Sequence, residues 1–457
     1  MSPLPSARTA HRVTQHLRRS RKQVNIQKSK TRKDPRKLHV FNLATGVLDE
    51  LSFDDAYGVH NLYRNYKNLN NIDEVEQKLD RLVEQPSVEL IRSIHADIEA
   101  GRDVVISRQK LERLRKFIFI MFFRKVSVSH HFFDVKHPDN AAAPQWIEEF
   151  AKAVEKRGGG FSAAVDMWQH ALAYIIDTPH NDLIKRGTDF VFGSTQADHI
   201  KDPYGIISNS YATLGGCYYL QMWRASPGRE FILTDNNLGL FEGLANFFEI
   251  SSGPFSPPET LSLGLHRLFV VSPTIAFVLR LNDEVINMIA QGRERIINSN
   301  LDNIPKIFPI SKNMNMPLDE KIHQYRAGVG QNDEFTFKIT TLTPKQTDNV
   351  NFVLLREVKK KDGFLSFKTP KLCGELLERY WNQTYFADVE ERPKLKALYS
   401  KLVPTKSPGT TSYHPTSVQT SSLSTKSSES KSTSESLPSK KSDIATSLPG
   451  LKGKLRF

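Results

Sequence analysis

The chain has 457 residues, 39% of them hydrophobic, and a formal net charge of +13; that length suits one large domain or roughly two to three smaller ones. The charge is not spread evenly: residues 1–37 hold twelve Lys/Arg against one acid, residues 404–457 hold eight against three, and the body between carries −3. This excludes a body-wide basic surface for tracking a phosphate backbone. Two cysteines, Cys217 and Cys373, exclude a disulfide framework and fit a reducing compartment. The basic N-terminus has no apolar stretch of a secretory signal. The longest apolar run, Phe117 to Phe123, is too short to cross a bilayer, which takes about 20 residues. A soluble intracellular protein, cytoplasmic or nuclear, is expected.

Residues 1–36 have almost no large apolar side chains and no period, which predicts a disordered basic arm. The globular body, 37–403, opens with Lys37-Leu-His-Val-Phe-Asn-Leu and a Thr-Gly turn, a strand leading into a hairpin. Ile72, Val75, Leu79, Leu82 and Val83 predict a helix over 72–84 that Pro86 ends. A second helix is expected over 87–100, with Gly101 as its C-cap. A third begins with Ser107 as N-cap and runs to about Arg124; its apolar last turns mark a buried helix. Arg-Gly-Gly-Gly at 157–160 reads as a loop, and 161–177 as a helix. The stretch 205–280 reads as strand-rich, including Gly215–Met222, Phe231–Leu233, Leu268–Val271 and Ile275–Leu279. Helices are expected at 283–298, 344–358 and 372–387. Residues 404–457, with 23 Ser/Thr among 54, predict a disordered tail. The expected class is α+β, mainly helical: one large body of helices enclosing a small set of strands.

Standard catalytic signatures are missing: no Walker A loop, no His-Glu-x-x-His, no Gly-x-Ser-x-Gly, no dinucleotide fingerprint. Gly328-Val-Gly330 has no preceding strand and reads as a plain loop. His130-His131 with His137 lacks zinc spacing and reads as an aromatic-rich loop, so no metal site is assigned. Glu357-Val-Lys359 with Asp235 only weakly matches a metal-dependent nuclease pattern, and Lys359 to Lys361 also read as a solvated helix end. The stronger candidate is the strand Phe231–Leu233 that delivers Thr234, Asp235, Asn236 and Asn237 into a polar tip. Asp235 and Asn236 serve there either as turn residues bonding their own backbone or as site residues. Arg124, ending a buried helix, either meets the helix's last carbonyls, holds an anion, or pairs with Glu76 or Glu84.

Several segments in order resemble one family, the domain of unknown function 4238. They are Lys37 to Gly46, Gly58 to Tyr63 with Val75 to Leu79, Leu114 to Met121 with Arg124, and Asp166-Met-Trp168. They continue with Phe231 to Asn236, Phe241-Glu-Gly243, His266 to Ile275, and Thr347-Asp-Asn-Val-Asn351, so the resemblance spans roughly 37–360. It implies no activity, substrate or cofactor. It places recurring polar positions on Glu76, Arg124, Asp235, Asn236 and Asn351. The family's opening motif joins a histidine through proline and an aromatic residue to Leu-Arg. Here His11-Arg-Val-Thr-Gln-His-Leu-Arg-Arg19 lacks the proline and aromatics, and Asn237 stands where the family favours proline.

These features give the expectation of a binding or interaction protein with no assignable reaction. The alternative is a metal-dependent hydrolase or nuclease centred on Asp235, with Glu76 and Arg124 as catalytic candidates and Asn236 and Asn351 as binding candidates. Residues 1–37 are the expected contact for nucleic acid or an acidic partner.

Overall fold

The computed structural model describes residues 37–52, 73–124, 132–137, 140, 144–156, 164–192, 202, 204–234, 238–249, 260–291, 293–312, 333–358, 363–382 and 392–403. The basic arm, the Ser/Thr-rich tail, the glycine loops at 157–160 and 328–330, His130-His131, Lys359–Lys361 and Asp235–Asn237 lie outside the described residues.

Strands β1 (Lys37–Asn42) and β2 (Val47–Ser52) form the expected hairpin. Asn42 Oδ1 closes the turn by accepting from Ala44 and Thr45 N–H at 2.8 and 3.2 Å. Helix α1 (Glu74–Leu79) does not stop before Pro86. It passes through a π-helical turn, Asp80–Glu84, directly into α2 (Gln85–Glu99). The reason is local: Gln85 N–H reaches back to Asp80 O, and Pro86 falls in the first turn of the following segment, where its missing N–H costs little. Ser87 Oγ donates to Val83 O at 2.6 Å. After β3 (Val104–Ser107), α3 (Arg108–Phe123) starts as expected, with Ser107 Oγ accepting from Lys110 N–H at 3.4 Å. Its last turns are buried on all sides, and Trp168 Nε1–H caps Phe123 O at 3.0 Å.

Next come α4 (Pro144–Glu155), α5 (Ala164–Asp177), α6 (His180–Phe192) and α7 (Gly205–Cys217). The last corrects the strand expected from Gly215: Ile207, Tyr211 and Leu214 keep helical spacing and are buried. Gly187 lets α6 and α7 touch, because a Cβ there would lie 2.3 Å from Ser208 O.

The sheet-forming part holds β4 (Tyr218–Arg224), β5 (Leu233–Thr234), β6 (Leu238–Glu249), β7 (Thr260–Val270) and β8 (Ile275–Leu281). Helix α8 (Asp283–Ile289) is short; Arg293–Asn298, expected to continue it, is strand β9, paired with the outer edge of β6. The remaining elements are β10 (Ile310–Ser311), β11 (Glu334–Phe337), β12 (Thr340–Thr341), α9 (Pro344–Arg356), β13 (Phe364–Phe367), α10 (Pro370–Trp381) and α11 (Arg392–Leu402). Thr343 and Gln346 form a reciprocal capping box on α9.

The fold is α+β. Its centre is a six-stranded sheet ordered β12-β4-β8-β7-β6-β9, antiparallel apart from the β12–β4 pair. Side chains alternate between two cores. Along β8, Ile275, Phe277, Leu279 and Leu281 join the core of α1 to α7, whereas Ala276 and Val278 join the core of β1, β13 and α9 to α11. That second core also contains the sheet β2-β1-β13-β5; a third sheet, β10-β11-β3, is separate. Among the described residues no helix is long and apolar enough to cross a membrane.

Both cysteines are free, Cys373 buried and Cys217 half-buried, and burial pushes both thiols up in pKa. Maleimide labelling followed by mass spectrometry is expected to modify Cys217 first and Cys373 only after unfolding; equal native rates would contradict the packing of α10.

Candidate functional site

Four polar residues line up across the central sheet where apolar ones would ordinarily alternate. Glu242 on β6 stands opposite His266 on β7, His266 opposite Arg280 on β8, and Arg280 opposite Tyr219 on β4. Strand spacing of about 5 Å makes each the neighbour of the next. All four point to the side of the C-terminal core, as their parity with Leu268, Val278 and Trp223 requires. Glu242, His266 and Arg280 are 3%, 2% and 1% exposed.

The segment 299–308, following β9, covers this row. Ser299 Oγ donates to Glu242 Oε2 at 2.8 Å, and Asn300 N–H donates to Oε1 at 2.7 Å. Gly243, at φ 71°, permits the approach: a Cβ there would meet Ser299 Cβ at 2.7 Å. Leu301 and Ile304 anchor the segment in the core. Arg280 Nη1 donates to Gln221 Oε1, Ile304 O and Pro305 O at 3.1, 2.8 and 3.1 Å. Gln221 Nε2 donates to Pro305 O and Ile307 O at 3.0 and 3.1 Å, and Trp223 Nε1–H donates to Gln221 Oε1 at 3.2 Å.

His266 Nδ1 lies 2.9 Å from Glu242 Oε2. Burial alone would raise the Glu242 carboxyl, but the bonds from His266, Asn300 and Ser299 hold it below its ordinary value. Burial, helped by Arg280, lowers His266 despite Glu242. The state is therefore an ionised carboxylate receiving Nδ1–H from a neutral imidazole, which leaves the lone pair on Nε2. No hydrogen bond to Nε2 is found among the described residues. Ser299 does not complete a hydrolase triad, because its hydroxyl sits on the Nδ1 side, on the carboxylate itself.

Two donors in the row are left over. Arg280 Nη2 and Tyr219 Oη are buried and find no acceptor among the described residues. Burial pushes the Tyr219 phenol up to about 12, so its hydroxyl stays protonated. Its ring lies 4.2 Å from that of Phe308, which is 44% exposed and forms the outer wall.

The family model for proteins of unknown function, DUF4238, matches residues 16–360. The chain belongs to the DUF4238 family. The match begins after His11 and takes in His16-Leu-Arg-Arg19 of the altered opening motif. No curated protein and no solved structure matches the chain.

The positions assigned from the resemblance to DUF4238 fall in different places. Asp235 and Asn236 lie outside the described residues, between Thr234 on β5 and Leu238 on β6. A Cβ on Gly239 would touch Phe122, so β6 begins against the last turn of α3, two residues from Arg124. Arg124 Nη1 pairs with Glu84, both fully buried, in the pairing considered from sequence. Glu76 is half-buried on α1, eight residues before Glu84. Asn351 on α9 clamps the chain leading to Asp235: Nδ2 donates to Glu230 O at 2.8 Å and Oδ1 accepts Ile232 N–H at 3.0 Å. Among the described residues no group of three or more His, Cys, Asp or Glu is placed to hold a metal.

The Glu242–His266–Arg280–Tyr219 row is not among the candidates that the sequence suggests, although Glu242 and His266 sit in segments that carry the family resemblance. The available signal was a polar residue on the inward phase of an otherwise apolar strand, as in Ile275-Ala-Phe-Val-Leu-Arg-Leu281.

Proposed function

We propose a binding protein with no assignable reaction, whose ligand is a small carboxylate-bearing molecule held by Arg280 and Tyr219. The observation that carries this is the pair of buried donors without acceptors on facing strands. Leaving a buried donor unpaired costs about 1–3 kcal/mol, more for a charged group. Such groups call for an occupant. A carboxylate supplies two acceptor oxygens to a guanidinium edge and a phenol hydroxyl. His266 Nε2 adds an acceptor beside them, which suits a hydroxyl or N–H next to the ligand's carboxylate. Phe308, exposed to solvent, packs against the Tyr219 ring. The alternative, a metal-dependent hydrolase or nuclease centred on Asp235, loses two of its supporting side chains to protein partners, since Arg124 is paired and both ends of the Asn351 amide are bonded.

Tyr219→Phe removes one hydroxyl and no protein hydrogen bond. The unliganded variant is expected to melt at or slightly above the wild-type temperature. Its affinity for hydroxy acids, ranked by thermal shift and calorimetry against the matching amides, is expected to drop about tenfold, about 1.4 kcal/mol. If no carboxylate shifts the melting of the wild type, water occupies the site and the reading fails.

A further inference from the structure

Arg267 follows His266 on β7 and turns to the opposite face of the central sheet, because neighbours along a strand alternate. Its cross-strand neighbours are Phe241 on β6 and Leu279 on β8, and Leu279 belongs to the core of the helical side. Three aromatic rings surround the guanidinium. The centroids of Phe241, Phe122 and Tyr218 lie 4.0, 5.0 and 5.5 Å from Cζ. Phe122, in the last turn of α3, meets Phe241 edge-on at 6.2 Å. Tyr218 Oη donates to Gly264 O at 2.8 Å, which fixes the third ring. Two glycines make the room: a Cβ on Gly264 would lie 2.5 Å from the Phe241 ring, and one on Gly239 would lie 2.9 Å from that of Phe122.

Other arginines stacked on rings in this protein also hold a carboxylate. Arg186 lies over Tyr174 and Tyr204 at 5.7 and 5.2 Å, and its Nε and Nη2 both donate to Asp202, Nε at 2.9 Å. Arg108 lies over Phe335 at 5.0 Å and donates to Asp333 at 3.0 Å. Arg267 has the rings without the acid. Its Nε is buried and finds no acceptor among the described residues. Burial lowers its pKa, and only the Tyr218 phenol opposes that; no carboxylate among the described residues acts on it. Aromatic faces attract the cation by about 0.5–2 kcal/mol, yet an enclosed N–H without an acceptor still costs about 1–3 kcal/mol. The box is not sealed, since Arg267 is half-buried and Phe241 is 37% exposed.

We infer that Arg267, ringed by Phe241, Phe122 and Tyr218, is a binding site for a monocarboxylate with an aromatic body, separate from the hydroxy-acid site on the other face of the sheet. The ligand carboxylate accepts from Nε as Asp202 does on Arg186. One guanidinium with no second cation acting on it matches a single negative charge better than a phosphate dianion. The ligand's ring packs on the edges of the box, where aromatic pairs add to affinity.

Nitrogen–proton NMR of the arginine side chains on the full chain, with benzoate, acetate or inorganic phosphate at equal ionic strength, tests this. Benzoate is expected to move the Arg267 Nε–H signal downfield, that signal being identified by its loss in Arg267→Lys. Calorimetry in the Tyr219→Phe background, which weakens the other site, is expected to show benzoate bound more tightly than acetate or phosphate. Adding Arg267→Met is expected to weaken benzoate by about tenfold or more. Because the Arg267 signal responds in Tyr219→Phe as in wild type, this site and the hydroxy-acid site fail separately. Should Arg267→Met not fold, the wild-type Nε–H signal decides alone. An unmoved Arg267 signal, equal benzoate affinity in Arg267→Met, or acetate or phosphate bound as tightly as benzoate each overturns the inference.

Discussion

Arg124→Ala is expected to destabilise the protein by about 3–5 kcal/mol, because it strands the Glu84 carboxylate in the core. Both side chains are almost wholly excluded from solvent, at 3% and 0% exposure. Arg124 caps α3, and Glu84 ends the π turn between α1 and α2, so the pair ties together the two helical segments flanking β3. Urea unfolding followed by circular dichroism measures the loss as a lower midpoint at constant slope. Glu84→Gln is expected to cost less than Arg124→Ala, since the amide oxygen still accepts from the guanidinium. The double substitution Glu84→Met with Arg124→Met is expected to recover most of the loss, because well-packed apolar side chains replace a buried ion pair at little net cost. If both single variants melt like wild type, Arg124 is free for ligand chemistry and the structural assignment fails.

The sequence leaves Arg124 open between its helix carbonyls, an anion, Glu76 and Glu84, and the structure pairs it with Glu84. The apolar last turns of α3 marked a buried helix end, and a buried arginine needs an acceptor. The family resemblance points to Asn351 as a recurring polar position, but its work as a backbone clamp depends on a contact spanning 119 residues to Ile232. The central row was harder still. Glu242, His266, Arg280 and Tyr219 meet only because four strands take one register, and single-strand alternation carries no information about which partner a polar side chain will face. Pro86 misled for the opposite reason: the proline rule holds within an α-helix, and the π turn before it had no sequence signature. At 293–298, apolar residues followed a helix closely enough to read as its continuation, yet pairing with β6 overrode local preference. Of the strand expected at Phe231–Leu233, all three residues are buried, but only Leu233, with Thr234, is paired as strand β5.

Glu242→Gln is expected to cost about 3 kcal/mol, because the carboxylate accepts hydrogen bonds in a charge-assisted network. It takes bonds from the His266 ring, Ser299 Oγ and Asn300 N–H at 2.9, 2.8 and 2.7 Å. A glutamine keeps one acceptor oxygen but turns an NH₂ toward a remaining donor, so segment 299–308 loses an anchor on the sheet. Acid acts on the same network. The folded Glu242 pKa lies below its ordinary value, so its stabilisation is complete above about pH 4.3 and fades as pH falls through the depressed value. His266 is also depressed, which means that the unfolded chain binds a proton below about pH 6.5 before the native state does. Stability should therefore fall as pH drops from about 6.5, first through the imidazole and later through the carboxylate. His180, depressed to about 4, adds a slope of the same sign worth up to about 3 kcal/mol. Unfolding midpoints across this range give the profile. His180→Asn should flatten it above the carboxylate region, while Glu242→Gln should lower the plateau at neutral pH and remove the steepest acid limb. A Glu242→Gln profile parallel to wild type down to the lowest pH would show that the carboxylate is not ionised in the fold, and the assignment of the imidazole's free lone pair to Nε2 would fall with it.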